Sequence, residues 1–565
     1  MNNTYLRLME KTLSAYSVEH IIRYFNDVKQ NGLTEHGFPR LTVSIGILIA
    51  YGKRRDLLTL FLEMMEFCCK AIPTVKAEND FSVREIVCCI MELEKTDVVA
   101  VEDIVRWKGY LATIEPEKCY DKFATSVTDS VKNWALFTAV SEYFRQSLGV
   151  CDSSEFIELQ IAQQLQWFDE NGMYMDGRGE YYQPIAYDLV PRMLFSLLLH
   201  AGYRGRYYEK IDGILRKAGL LTLRMQSISG ELAFGGRSNQ FLHNEVLLSS
   251  ILEYEAARYQ KEGNFALAKT FKAASIRAIE VFEYWLSKTP ISHIKNRFPK
   301  ESKFGCEKYG YFDKYMITAA SELYTASLFS DDSIIPSEFD ESPMVWSTSK
   351  HFNYTFIRGG GYSLEFATMA STQCDANGLG RVHKKGAPST ICLSVPFPFS
   401  EEQCRYHLGE YKNEYNFSIC PSIKKEEKWI IGASSSVKYT LISSEEGKES
   451  ARVKFHCEFE SGEKVAFDCS VEENGVLLQA QANADEEVAI ALPVFAFDGE
   501  THTKITESNG KILVEYEGWI CEYTAQNISN LEKEFANRNG IYKGYLASGK
   551  ENVSVRIKIY PSKAE

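Results

Sequence analysis

Apolar residues recur at three- and four-residue spacing through the first ~330 positions of the chain, the period of helices with one buried face. The spacing predicts helices over Val43–Tyr51, Leu57–Met65, Trp134–Phe144, Leu189–Leu199, Val246–Ala257 and Phe265–Trp285, joined by loops marked with Gly or Pro. A polar, proline-bearing stretch follows at 331–345. Beyond it the period drops to two. Thr355–Arg358, Tyr362–Met369, Val453–Glu460, Lys464–Val471 and Val553–Tyr560 alternate, with turn signals such as Glu473-Asn-Gly and Ser508-Asn-Gly between runs. The pattern divides the chain into a helical domain (1–330), a linker (331–345) and an antiparallel β domain (346–565) of sandwich type.

Composition narrows the function. A chain of 565 residues with 45% hydrophobic and 25% charged content is that of a multidomain globular protein. A net charge of −13 argues against nucleic acid. It does not argue against an acidic sugar, because a local basic cluster acts within about 10 Å whatever the global charge. The sequence has no run long enough to span a bilayer, and Met1–Glu10 lacks the basic and apolar regions of a signal peptide, so a cytoplasmic location is expected. The 14 cysteines form no Cys-x-x-Cys spacing, so buried free thiols are expected, with neither a metal site nor a cofactor. Self-association into a homo-oligomer stays open.

Two glycine-rich loops concentrate the chemistry. Within Asp169–Asp188, the groups Asp176, Arg178, Glu180, Tyr182, Tyr187 and Asp188 supply acids, a cation and stacking faces in a loop and the first turn of the helix it runs into from Ile185. In Phe234–Glu245, Arg237 offers a fork for a carboxylate, Asn239 and His243 lie four apart, and Ser238 or Asn239 is placed to cap the helix that follows. Glu231 and Glu245 add acids. Asn133-Trp134 opens another helix with a stacking face, Tyr311 opens the last helix of the first half, and Gly378–Ser389 carries Arg381, His383 and Lys384 ahead of an apolar strand at Thr390–Pro396. The basic segment is expected to reach over the cleft as a hairpin.

Asn133-Trp134, the loop Glu170–Gly177 and Tyr181-Tyr182 resemble signatures of the chondroitin AC/hyaluronate lyase superfamily. Gly236-Arg237-Ser238 and Arg381–Ser389 resemble more closely bacterial two-domain proteins grouped with β-glucuronidases. The resemblance implies an α/α toroid followed by an antiparallel β-sandwich, and an enzyme acting on uronic-acid oligosaccharides. The His-x-His-x-Asp run of heparinase II/III β domains is missing at Arg381–Ser389. An exo-acting hydrolase is therefore the first expectation. Asp176, Asp188 and Glu245 are its carboxylates, with His243 and Tyr182 also catalytic. Asn133, Trp134, Arg178, Tyr187, Arg237, Asn239, Tyr311, Arg381, His383 and Lys384 are expected to bind substrate. A uronate lyase using Asn133, Arg237, His243 and tyrosines is the alternative, and a glycan-binding protein without catalysis is a third reading.

Overall fold

The computed structural model describes residues 4–177, 179–371, 373–400 and 404–562. The first half holds helices α1 (Thr4–Leu13), α2 (Val18–Asn31), α3 (Gly37–Ala50), α4 (Leu58–Ala71), α5 (Asn79–Leu93), α6 (Val101–Ala112), α7 (Pro116–Cys119), α8 (Trp134–Ser147), α9 (Ser154–Gln164), α10 (Ile185–His200), α11 (Tyr208–Met225), α12 (His243–Lys261), α13 (Phe265–Leu286) and α14 (Phe312–Phe329). Helices α3, α5, α8, α10, α12 and α14 touch in turn, and α14 closes on α3. The result is an α/α toroid with an inner ring of six helices.

Burial explains which helices form the ring. From Gly37 to Ile49 every residue of α3 is buried, a helix apolar or hydrogen-bonded on all faces. In contrast, α2 buries only Ile21, Phe25 and Val28, the single stripe of an outer helix. None of the described helices is long and apolar enough to cross a membrane.

The second half is antiparallel. Its strands are β1 (Met344–Ser347), β2 (Tyr354–Gly359), β3 (Tyr362–Ala367), β4 (Gly378–Lys384), β5 (Cys420–Lys425), β6 (Lys428–Ile431), β7 (Lys438–Glu446), β8 (Ala451–Glu458), β9 (Lys464–Glu472), β10 (Gly475–Gln481), β11 (Glu487–Phe497), β12 (Lys504–Ser508), β13 (Lys511–Tyr516), β14 (Trp519–Ala525), β15 (Ile528–Ala536), β16 (Ile541–Lys550) and β17 (Asn552–Pro561). They form sheets of order β1-β2-β3-β4, β12-β13-β14-β17-β10-β9-β8-β7 and β15-β16-β11-β5-β6. The outer faces of the large sheet alternate as the sequence predicts: β9 reads exposed-side, buried-side from Lys464 to Glu472.

Strands β2 and β3 are buried on both faces. Tyr354, Phe356 and Ala367 join the core of the helical half, whereas Ile357, Leu364 and Phe366 join the core of the β half. Phe366 stacks on Phe455 of β8 with ring centroids 4.1 Å apart. The four-stranded sheet is thus a middle layer between the toroid and the eight-stranded sheet. Gly378–Lys384, read from sequence as part of a basic loop, is strand β4 of that layer. Thr390–Pro396, expected as a strand, pairs only through an isolated bridge between Leu393 and Val382. All fourteen cysteines are free, and all but Cys151 and Cys404 are buried.

Candidate active site

The inner helices α3, α5, α8, α10, α12 and α14 all place residues of their first turns, or of the loops leading into them, around one cleft of about 1790 Å³. That volume exceeds the roughly 300–1,000 Å³ of an ordinary small-molecule site and suits an extended ligand. Six helix N-termini facing one space give it a positive potential, since each carries about half a unit of positive charge. The side chains add to it. Arg40, Lys122, Lys132, Arg237, Lys314 and Arg405 line the cleft, against the carboxylates Glu78, Asp176, Glu180 and Glu322.

Asp176 is the hub of one wall. Its buried carboxylate accepts from Asn133 Nδ2 at 3.0 Å and is ion-paired with Arg237. Burial pushes its pKa up to about 6, opposed by the charges of Arg237 and Lys132. Asn133 occupies the N-cap position of α8 yet makes no side-chain cap bond, so its amide serves Asp176 instead. Lys132 donates to the Met175 carbonyl at 2.9 Å and lies 3.1 Å over the Trp167 ring, and burial brings its pKa down to about 8. Trp134 packs edge-on against Phe81 at 4.6 Å and carries Lys122 at 4.2 Å over its ring.

The Arg237 guanidinium lies 4.0 Å from the Tyr187 ring centre. Tyr187 Oη is 3.2 Å from Ser238 Oγ, which is 2.9 Å from Tyr309 Oη. The loop bearing Arg237 holds a backbone that few sequences accept. Gly236 has φ +74° and Ser238 φ +56°, and a Cβ on Gly236 would sit 2.8 Å from Pro184 Cα. Two buried carboxylates fix this loop through its amides. Asp375 accepts from Gly236 N–H at 2.6 Å, and Glu307 accepts from Ser238 N–H at 2.6 Å while gripping Arg538 at 2.7 and 3.0 Å.

Of the residues expected from sequence, Asn133, Trp134, Asp176, Tyr182, Tyr187, Arg237 and His243 line this cleft. Arg178 lies outside the described residues. The others do not line it. Asp188 is wholly buried, ion-paired with Arg192 at 2.6 Å and accepting from Tyr174 N–H. Glu245 sits with Glu231 around Lys295, at 2.7 and 2.8 Å, beneath the cleft wall. Asn239 donates to the Ala233 carbonyl, in a loop that precedes α12 because that helix starts only at His243. Tyr311 is the N-cap residue of α14, with its phenol toward Glu35, which helps to raise its pKa. Arg381 is fully buried on Glu365 at 2.8 Å, His383 lies between Ser227 and Ser394, and Lys384 donates to the Gly360 carbonyl at 3.0 Å. The basic segment therefore staples the middle sheet to the toroid, and no hairpin of these residues covers the cleft. The β half contributes His351, Ser371, Gln373, Cys374, Arg405 and Ser435 instead.

Sequence reasoning singled out Tyr309–Tyr315 at the start of the last helix, but missed Lys132, Trp167 and the continuation of Lys314 into Thr318 and Glu322. The last carried a signal: polar residues every four positions on a helix otherwise buried among apolar side chains mark a face turned to a cavity.

No family model matches the chain, and no curated protein does. Solved structures do. A heparan sulfate lyase HepC mutant from Pedobacter heparinus is 9% identical, with 93% of this chain and 77% of that chain covered and a TM-score of 0.46. A heparinase III is 10% identical, with 93% and 78% covered and a TM-score of 0.48. A chondroitin lyase that is a baculovirus envelope protein is 8% identical, with 94% and 78% covered and a TM-score of 0.45.

Proposed function

We propose that the chain is a carbohydrate-active enzyme that cleaves uronic-acid-containing glycans by β-elimination in this cleft. The observation that carries the reading is the state of the ionisable lining. Glu78 is held by Lys314 at 2.6 Å, Asp176 by Arg237 and Glu180 by Lys350 at 2.5 Å, while burial pushes the Glu322 carboxyl well up toward its uncharged form. Lys122, Lys132 and Arg405 have no ion-pair partner among the described residues. A hydrolase needs two carboxylates free to act across one bond. A lyase needs cations and amides to neutralise a sugar carboxylate, and a phenol to move a proton.

In this reading Arg237 and Asn133 hold the uronate carboxylate, which acidifies the C5 hydrogen. Tyr187, acting as the phenolate, takes that proton on its oxygen, the C4–O bond breaks as a C4=C5 double bond forms, and the leaving oxygen receives the proton from the phenol so formed, which restores the phenolate. The trio sits together because Asp176 orients Asn133 and Arg237, and Arg237 lies over Tyr187.

Two-carboxylate hydrolysis keeps one supporting observation, the presence of Asp176 and Glu322 in the same cleft. One assay separates the readings. Uronic-acid oligosaccharides are incubated with the protein, and both free uronic acid and the ultraviolet absorbance of an unsaturated product are followed. Rising absorbance supports elimination. Free uronic acid without absorbance refutes it and moves the reaction to the carboxylates.

A further inference from the structure

The deep end of the cleft is built differently from its walls. On α14, Lys314, Thr318 and Glu322 descend one face at four-residue spacing, about 12 Å from first to last at 1.5 Å per residue. Only Lys314, nearest the rim, has an acid partner. At the level of Thr318, Arg40 donates to the Thr318 hydroxyl at 2.6 Å and to both oxygens of Glu85 at 3.0 and 3.2 Å. Arg84 shares the same carboxylate at 2.7 Å. Both arginines are thus engaged. Below them Ser321, Thr325 and Leu328 meet Met9, Val43, Ile47 and Leu197 around a void of only about 10 Å³, at the limit for one water. The toroid axis is closed, so the cleft is blind at this end.

The lower cleft also holds polar groups without a full set of partners. Glu322 and His243 line the cleft yet are only 5% and 7% exposed. Glu322 Oε2 and His243 Nδ1 have no hydrogen-bond partner among the described residues. Burial raises the Glu322 acid well above its usual range and lowers the His243 imidazole to about 3. A buried polar atom left unpaired costs about 1–3 kcal/mol, and such atoms lining a cleft point to polar groups brought by a ligand. Ring contacts connect the floor to the reaction level. His243 lies 5.1 Å from Tyr315, and Tyr315 lies 6.1 Å from Tyr309, whose hydroxyl meets the Ser238 that also contacts Tyr187.

We infer that the blind end of the cleft, lined by Glu322 and Thr318 with His243 on the wall toward Tyr315, is a subsite for the uncharged hydroxyls of a terminal sugar ring, so that the enzyme takes a glycan by one end and removes one small unit per cleavage. This rests on the proposed reading of the cleft as a site for acidic glycans. That reading assigns the charged wall at Arg237, and the floor adds which part of the chain enters first.

The test uses the full chain carrying Tyr187→Phe, to hold substrate uncleaved, and calorimetry with three tetrasaccharides of alternating glucuronate and N-acetylhexosamine: one unmodified, one with its non-reducing end capped by a bulky ether, one with its reducing end capped. The subsite predicts at least a hundredfold weaker binding for one capped form and little change for the other. Glu322→Leu then weakens binding of the unmodified ligand about tenfold, and His243→Gln serves as a second probe should the Leu variant not fold. Without the Tyr187 change, one small product accumulates from the first minutes. Equal binding of all three ligands, or a ladder of intermediate products, overturns the floor subsite and leaves the reading of the charged wall standing. No binding by any ligand overturns both.

Discussion

Removing the Asp375 carboxylate tests how the loop that bears Arg237 is held. Asp375 does not line the cleft, but its oxygen accepts the Gly236 amide at 2.6 Å, beside Arg237. In Asp375→Ala that buried N–H loses its partner, at a cost of about 1–3 kcal/mol. Set against the closed loop alone, this changes its population relative to open forms by roughly 5- to 150-fold, since 1.4 kcal/mol is tenfold. We expect kcat/KM on uronate oligosaccharides to fall at least tenfold, mostly through KM, as Arg237 leaves its position over Tyr187. Asp375→Asn separates the hydrogen bond from the charge. The amide oxygen still accepts from Gly236, so activity stays within a few fold of wild type. Stability behaves differently again. Burial lifts the Asp375 pKa to about 7, far above its unfolded value near 4. The folded form therefore binds the proton more tightly, and its contribution, on the order of 4 kcal/mol, is present below pH 4 and lost as pH rises to 7. Asp375→Asn removes this dependence, so its Tm relative to wild type climbs from pH 5 to pH 8. Thermal melts across that range and initial rates for both variants check the argument. Wild-type kinetics in Asp375→Ala, or equal loss in the Asn variant, would refute it.

Other outcomes follow from the same geometry. Tyr187→Phe lowers kcat by about 10²- to 10⁴-fold with little change in KM if the phenol moves the proton; single-turnover rates measure it, and unchanged turnover removes Tyr187 from the chemistry. Arg237→Ala weakens acidic sugars more than neutral ones, and it raises the Asp176 pKa above about 6 because the nearest opposing charge is gone, shifting any limb of the pH–rate profile that needs ionised Asp176 toward alkali. Lys295→Met leaves Glu231 and Glu245 buried without their shared cation, a loss of about 3–5 kcal/mol seen as a lower denaturation midpoint. Burial lowers the His243 and His293 pKa values to about 3 and 4, so their neutral forms support the fold above pH 6.5 and that support is lost as pH falls toward those values; His243→Gln should flatten the acid side of a Tm-against-pH curve.

Much of the architecture was legible in the chain because the two halves have different periods. The helix at Trp134–Phe144 needed only three- and four-residue spacing and the strand at Lys464–Val471 only alternation, though the helix turns out buried on almost every face and the strand on every second side chain. The site was legible where a loop runs straight into an inner helix, as at Asp176, Tyr187 and Arg237. It was not legible where a charged residue is neutralised by a partner buried with it, whether one turn on or far away in sequence. Asp188 looks like a free acid until Arg192 is seen one turn on and buried with it. Arg381 looks like a solvated cation, yet Glu365 awaits it on the neighbouring strand and Leu232 on the toroid. Glu245 reads as a catalytic acid, and only the fold reveals Lys295 beside it. Composition cannot distinguish a paired buried charge from a waiting one, because the difference lies in burial and in contacts that span 4 to 149 positions.

The closure of the ring has a consequence for how the chain is made. Helix α3 completes its surroundings on α14, and α1 also packs on α14, so early segments acquire their final neighbours only after Phe329 exists. Between the end of α3 and that residue lie some 280 positions, about a quarter of a minute to a minute of ribosomal synthesis at 5–20 residues per second. Throughout that interval the apolar sides of α3 stand open to other nascent chains. Production of this protein is therefore expected to depend on holding chaperones and to improve at low temperature, and fragments ending before α14 should aggregate while the full chain stays in solution.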